Sequence, residues 1–162
     1  MGPTIGYSID QLMELAGLSV AQAIFREYSP QTHRRVLVCA GPVQLFGIPF
    51  VDSADAALPL ASLIVDGIFG FSFSGDIRPP LTLFSAFLKR QRYPLNISNL
   101  GLDPEMLVSL TAPKLGVVDG TFKYHYLGGR FVPAQLILKY QLDIPKFLCT
   151  DQVVDISCRD PQ

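Results

Sequence analysis

Leu63-Ile64-Val65-Asp66-Gly67-Ile68-Phe69, followed by Gly70-Phe71-Ser72-Phe73-Ser74-Gly75-Asp76, is the stretch on which the fold turns. Its first half is an almost unbroken apolar run ending at glycine, which reads as a buried strand of the type that parallel sheets use. In open α/β sheets ligands sit beyond the carboxyl ends of the strands, so Asp66 and the loop after it are the first candidates for a site. Gly70 and Gly75 let the backbone approach a ligand closely, Ser72 and Ser74 offer hydroxyls, and Asp76 offers a carboxylate to a ribose or an amide. Backbone N–H groups of such a loop can also hold phosphate. A tight turn that buries Phe71 and Phe73 and uses Asp76 as a cap accounts for the same spacing equally well.

Upstream, Ser8 and Gln11 fit a capping box, and Leu12, Leu15, Ala16, Ser19, Ala23 and Phe25 continue an apolar stripe at helical spacing. A helix is expected from Ile9 to about Tyr28, closed by Pro30. Residues 35–40 then read as a short, fully buried strand, ended by Gly41-Pro42. The next extended segment, residues 48–51, arrives too soon, because a parallel crossover needs a dozen residues or more. Either those two segments are not parallel neighbours, or a connection is missing.

Residues 54–61 read as a short helix, and Pro79-Pro80 opens a longer one that ends with Lys89, Arg90 and Arg92. Residues 95–98, 106–110, 124–127 and 153–154 read as strands, with a turn at Gly128-Gly129 and a helix over residues 133–140. Strands alternating with helices imply a three-layer α/β/α sandwich with a mostly parallel sheet, in a single domain over residues 1–162.

Composition narrows the functional classes. Hydrophobic residues are 49% of the 162 and charged residues 17%, enough apolar material for one core. Thirteen basic residues against 14 acidic ones leave a formal charge of -1, so no overall field favours nucleic acid or an anionic membrane. Cys39, Cys149 and Cys158 have neither zinc nor disulfide spacing and suit a reducing compartment. His33 and His125 stand far apart with no nearby cysteine, which argues against zinc. No secretory signal pattern is evident, and the longest apolar run, residues 56–65, is broken by Pro59 and Ser62. The fingerprints of dinucleotide-fold dehydrogenases, P-loop enzymes and α/β-hydrolases are absent. Gly128-Gly129-Arg130 could cradle an anion but reads better as a turn with a surface arginine, Lys114 reads as either a phosphate partner or a solvated lysine after a strand, and His125 as a strand residue.

Four runs taken together resemble the NAD(P)H-hydrate epimerase (YjeF N-terminal domain) family: Tyr7-Ser8-Ile9-Asp10-Gln11-Leu12-Met13-Glu14-Leu15-Ala16-Gly17, Val65 through Asp76, Leu107-Val108-Ser109-Leu110-Thr111-Ala112-Pro113-Lys114, and Tyr126-Leu127-Gly128-Gly129-Arg130-Phe131-Val132-Pro133. The matches keep their order and span nearly the whole chain. The resemblance implies a Rossmann-like domain, usually dimeric, that interconverts the R and S forms of hydrated NADH and NADPH, in cytoplasm or mitochondrion. It also implies a potassium ion beside the ligand. Asp66 matches a potassium-associated Asp, and Gly70, Phe71, Ser72, Phe73, Ser74, Gly75 and Asp76 match a loop that contacts the hydrated dinucleotide.

The chain departs from the family pattern at two places. Where the family has an Asn-Asn-Gly-Gly-Asp-Gly loop opening a helix, Gly41-Pro42 runs straight into Val43, which implies an internal deletion near residues 42–48. Where the family has Asp-Ile-Pro-Ser-Gly-Trp-Asp, Asn99 stands at the first Asp and the rest is absent, implying a second deletion near 99–101. The clean joins fit exon skipping or a gene-model error, which transcript sequencing distinguishes from the genomic pattern. Three outcomes are open on the sequence: an epimerase with reduced or lost activity, a catalytically dead dinucleotide-binding or protein-interaction module, or a chain that does not fold.

Overall fold

The computed structural model describes residues 6–40, 49–51, 54–67, 104–113 and 122–157. The chain forms two compact units, Met1–Glu27 with Tyr93–Gln162, and Tyr28–Arg92.

The first unit begins with helix α1, Ile9–Glu27. The expected capping box is present: the Ser8 N–H donates to Gln11 Oε1 at 2.8 Å, and the Gln11 N–H donates to Ser8 Oγ at 3.2 Å. Two N–H groups that the helix start leaves orphaned are thereby satisfied. Strands β3 (Met106–Leu110) and β4 (Tyr124–Gly128) pair in parallel, with Met106 opposite Tyr124 and Leu110 opposite Gly128. Strand β5 (Val153–Asp155) adds antiparallel to β4, Gly128 facing Val153 and Tyr126 facing Asp155. A sheet of order β3-β4-β5 results, and α1 packs against all three strands.

Alternation along β3 and β4 decides which side chains meet the helix. Tyr126 and Val153 form a buried cluster with Ala23 of α1, flanked by Met106, Val108 and Tyr124. Gly128 is required by the close approach: a Cβ there would lie 2.8 Å from Ser19 Cβ and 3.0 Å from Leu110 Cδ2. Polar side chains fasten the same seam. Ser19 Oγ donates to the carbonyls of Leu15 and Gln152, the Gln152 N–H donates to Gln22 Oε1, and Arg26 pairs with Asp151 at 2.8 Å. The Tyr126 hydroxyl donates to Glu27 Oε1. Burial, reinforced by that carboxylate, holds the Tyr126 phenol well above its ordinary range.

Helix α3 (Ala134–Tyr140) starts after Pro133, whose fixed φ suits an entry position and which has no N–H to leave unpaired. It closes in a Schellman arrangement: Gln141 adopts a left-handed φ of 50°, and the Leu142 N–H reaches back to Ile137 O at 3.0 Å.

In the second unit β1 (Val36–Ala40) and β2 (Leu63–Gly67) pair in parallel, Val36 opposite Leu63 and Cys39 opposite Asp66. Between them, α2 (Ala54–Ala57) runs into a 3₁₀ turn, Leu58–Leu60, whose Leu58 is fully buried. Ser62 locks the start of the pair, its Oγ accepting from the Arg35 N–H and donating to the Arg35 carbonyl, each at 3.1 Å. The parallel α/β pattern read from the sequence is the fold observed. Both strands are less enclosed than expected: β1 is not fully buried, because Val36 is 49% and Val38 61% exposed. A strand disappears from solvent only when both faces are covered, and among the described residues nothing covers the face bearing these two valines. β2 is partly buried along Leu63–Asp66. Pro49, Phe50 and Val51 form no regular strand and are exposed. The expected helix after Pro79-Pro80 and strand over residues 95–98 lie outside the described residues.

Candidate functional site

Asp66 sits one residue before the carboxyl end of β2, directly across the ladder from Cys39 of β1. Strand alternation puts both side chains on the same side of the pair. Cys39 is half-buried, and burial, aided by the negative charge of Asp66, pushes its thiol up to about 11. At neutral pH it is therefore a protonated, poorly nucleophilic thiol. The carboxylate is a hard oxygen donor and the thiol a soft one, so of the two only Asp66 is suited to an alkali cation. Among the described residues no group of three or more His, Cys, Asp or Glu side chains converges to hold a metal. Residues 70–76, Asn99 and Lys114 lie outside the described residues.

The other motifs read from sequence take structural positions. Gly129 has φ +111°, and a Cβ on it would lie 2.6 Å from the Thr111 nitrogen, so only glycine fits where the two strand ends converge. The Val132 N–H closes a turn onto the Gly129 carbonyl at 3.1 Å, and Arg130 bends away to donate to the carbonyls of Cys149 and Asp151. This arginine anchors the segment before β5. His125 lies on β4 as expected, its Nε2 2.9 Å from Ser109 Oγ on β3. Burial lowers the His125 pKa, and the charge of Asp155 opposes that shift in part. Ser109 is 1% exposed, too enclosed to serve as a nucleophile toward a dissolved substrate.

Sequence reasoning missed Thr111. It follows β3 with φ 76°, an outlier for a β-branched residue, and its N–H donates to the Gly128 carbonyl at 2.9 Å. Its Oγ1 is a buried polar atom without a hydrogen-bond partner among the described residues. Propensity carries no signal for such a position; the close approach of Gly129 is what creates it.

Parallel strand pairs and helices packed on them define a Rossmann-like α/β protein, a class whose ligands bind at the carboxyl ends of the strands, where Asp66 stands. No family model matches the chain. The NAD(P)H-hydrate epimerase of Mycosarcoma maydis is 34% identical, the match covering 99% of this chain and 84% of the relative. That of Neurospora crassa is 35% identical over 95% of this chain and 89% of its own length. The crystal structure of the yeast protein YNL200c superposes with a TM-score of 0.67 at 25% identity, covering 96% of this chain and 93% of that one. With such identity across both lengths, the chain belongs to the NAD(P)H-hydrate epimerase family. The match to the Mycosarcoma maydis relative extends over 226 positions against 162 residues here, so at least 64 positions of the aligned span are filled in the relative alone. Among the described residues no helix is long and apolar enough to cross a membrane.

Proposed function

We propose that this chain binds hydrated NADH and NADPH and interconverts their R and S epimers far more slowly than its longer relatives. The observation that carries the reading is the nearly end-to-end match to proteins named NAD(P)H-hydrate epimerase. Gly70, Phe71, Ser72, Phe73, Ser74, Gly75 and Asp76 form the substrate loop, and Asp66 is one oxygen ligand of a potassium ion. The remaining oxygen ligands of that ion come from outside the described residues, and no step of the reaction is drawn through it. The working form is a homodimer of the cytoplasm or mitochondrion.

Epimerisation requires the hydroxyl to leave the reacting ring carbon and return on the other face. Departure is assisted by a proton delivered to the leaving oxygen, and return by a proton taken from the incoming water. A carboxyl group at the site can do both in turn, gaining and losing one proton, whereas an amide cannot. Asn99 stands where the family's carboxylate is, and loss of an aligned acid or base costs roughly a hundredfold to ten-thousandfold in rate. The surplus of aligned positions in the relative supports the reading that segments are missing from this chain, which we place near residues 42–48 and 99–101 from the motif pattern.

The test is epimerisation of purified R-NADPHX by the chain with potassium present, compared with the spontaneous rate and with a full-length relative. A rate between the two is expected. A rate equal to the relative's would overturn the proposed impairment. Binding of hydrated NADPH, seen as a raised melting temperature, with no turnover at all would favour a purely binding module, a reading that Asn99 also supports.

A further inference from the structure

Between α1 and β1 the chain runs Tyr28-Ser29-Pro30-Gln31-Thr32-His33-Arg34-Arg35. Ser29, Pro30, Gln31, Thr32, Arg34 and Arg35 are exposed, and His33 is partly covered, its ring edge-on to that of Tyr28 with centroids 5.1 Å apart. The segment closes as a single turn: the Thr32 and His33 N–H groups both donate to the Ser29 carbonyl, at 3.1 and 2.9 Å. Pro30 suits its place, having no N–H to leave unpaired and disfavouring helical backbone at Ser29, just past the end of α1.

The two hydroxyls of the turn are differently committed. Thr32 Oγ1 donates to the Ser29 carbonyl at 3.1 Å and lies 2.9 Å from His33 Nδ1. Ser29 Oγ holds only its neighbour Gln31, donating to the side-chain Oε1 and accepting the Gln31 N–H at 3.3 Å. Arg34 is drawn back onto the same residue, its Nε donating to the Gln31 carbonyl at 3.2 Å. The backbone of Gln31 thus links the Ser29 hydroxyl to a guanidinium group. Neither Arg34 nor Arg35 pairs with a carboxylate among the described residues, and residues 28–35 include no acidic residue. An exposed hydroxyl beside two uncompensated guanidinium groups is a setting in which a phosphate is stabilised by charge-assisted hydrogen bonds.

We propose that Ser29 is a phosphorylation site for a proline-directed protein kinase, and that Arg34 holds the phosphate once it is added. In the transfer, Ser29 Oγ attacks the γ-phosphorus of ATP, the new P–O bond forms as the bond to ADP breaks, and the hydroxyl proton passes to the base of the kinase. The sequence has no other Ser-Pro or Thr-Pro pair, so such a kinase meets one acceptor. To enter a kinase cleft the turn must extend, which opens the two backbone bonds to the Ser29 carbonyl; a solvent-exposed turn opens at low free-energy cost. The phosphate, with a charge of about −1.5 to −2 near pH 7, then recloses the turn onto the guanidinium.

The experiment treats the full chain with ATP and a purified mitogen-activated protein kinase, maps the phosphate by peptide mass spectrometry and titrates it by phosphorus NMR. A single phosphate on Ser29 is expected. Ser29→Ala should abolish incorporation, Pro30→Ala should remove most of it, and Thr32→Ala should leave it in place. The second ionisation of the phosphate, ordinarily near pH ~6, should fall by about half a unit relative to the same protein in urea, and Arg34→Gln should reverse that fall. Should Ser29→Ala fail to fold, the mapped position in the unaltered chain decides the matter. Absence of phosphate on Ser29, or incorporation that survives Ser29→Ala, overturns the site; a titration that Arg34→Gln leaves unchanged overturns the role of Arg34.

Discussion

Tyr126 on β4 is 3% exposed and Val38 on β1 is 61% exposed, although each lies in a short strand paired in parallel with a neighbour. The difference lies in what covers each face. α1 lies across β3, β4 and β5, and Ser19, Gln22, Arg26 and Glu27 tie it to them by hydrogen bonds and an ion pair. The β1 and β2 pair has its ladder and the Ser62 lock, but among the described residues no element lies over Val36 and Val38. Backbone pairing alone therefore does not make a core; the hydrophobic contribution comes with the second layer. The candidate carboxylate, Asp66, belongs to the less covered of these two regions.

The contrast predicts unequal responses to mutation. The largest effect should come from Gly129→Ala, because a methyl 2.6 Å from the Thr111 nitrogen at φ +111° meets backbone on both counts. A loss of roughly 3 kcal/mol in urea unfolding is expected, and a loss below about 1 kcal/mol would show that the strand ends separate easily. Leu127→Ala, which empties a fully buried site, should cost roughly 3 kcal/mol as well, whereas Val38→Ala should cost less than about 1 kcal/mol. Equal costs for the two would mean that the β1 face is covered in solution and would remove the contrast.

A smaller effect is expected from pH. Burial sets His125 below its ordinary value of 6.5, so the unfolded chain takes up this proton before the folded one. Stability should then decline as pH falls through 6.5, and stop declining from this source once pH is below the folded value. His125→Gln should flatten that part of the stability profile; an unchanged slope would assign the acid sensitivity elsewhere. The smallest effect concerns Cys39. With its thiol at about 11, alkylation near pH 8 should be much slower than at exposed Cys149, as followed by peptide mass spectrometry. Asp66→Asn should speed the Cys39 reaction modestly, since burial is the larger cause and remains. No acceleration would place the carboxylate too far from the thiol to share a site with it.

Much of the fold was legible because its signals are local. Ser8 and Gln11 announced the start of α1 through a motif that satisfies backbone donors within one turn. The apolar runs leading to Gly70 and to Gly128 marked strands, the first described as far as Gly67, and Pro133 marked the entry to α3. Asp66 was legible as a site candidate because the end of a strand is a place, and a sequence shows where strands end. The exposure of Val36 and Val38 was not legible, since an apolar strand reads the same whether or not a layer lies over it. Nor were the pairing of Ser109 with His125 and the buried position of the Thr111 hydroxyl, which depend on strand register across neighbours distant in sequence.

By itself the sequence determined the class of the chain and its family, and it offered Asp66 and the glycine-flanked loop as candidates for a dinucleotide site. Each of these rests on residue order, and order survives without coordinates. Only the tertiary structure decided which strand faces are covered, why Gly128 and Gly129 admit no side chain, and which side chains line a cavity beside α3. Those outcomes depend on the distances between groups that folding alone brings together.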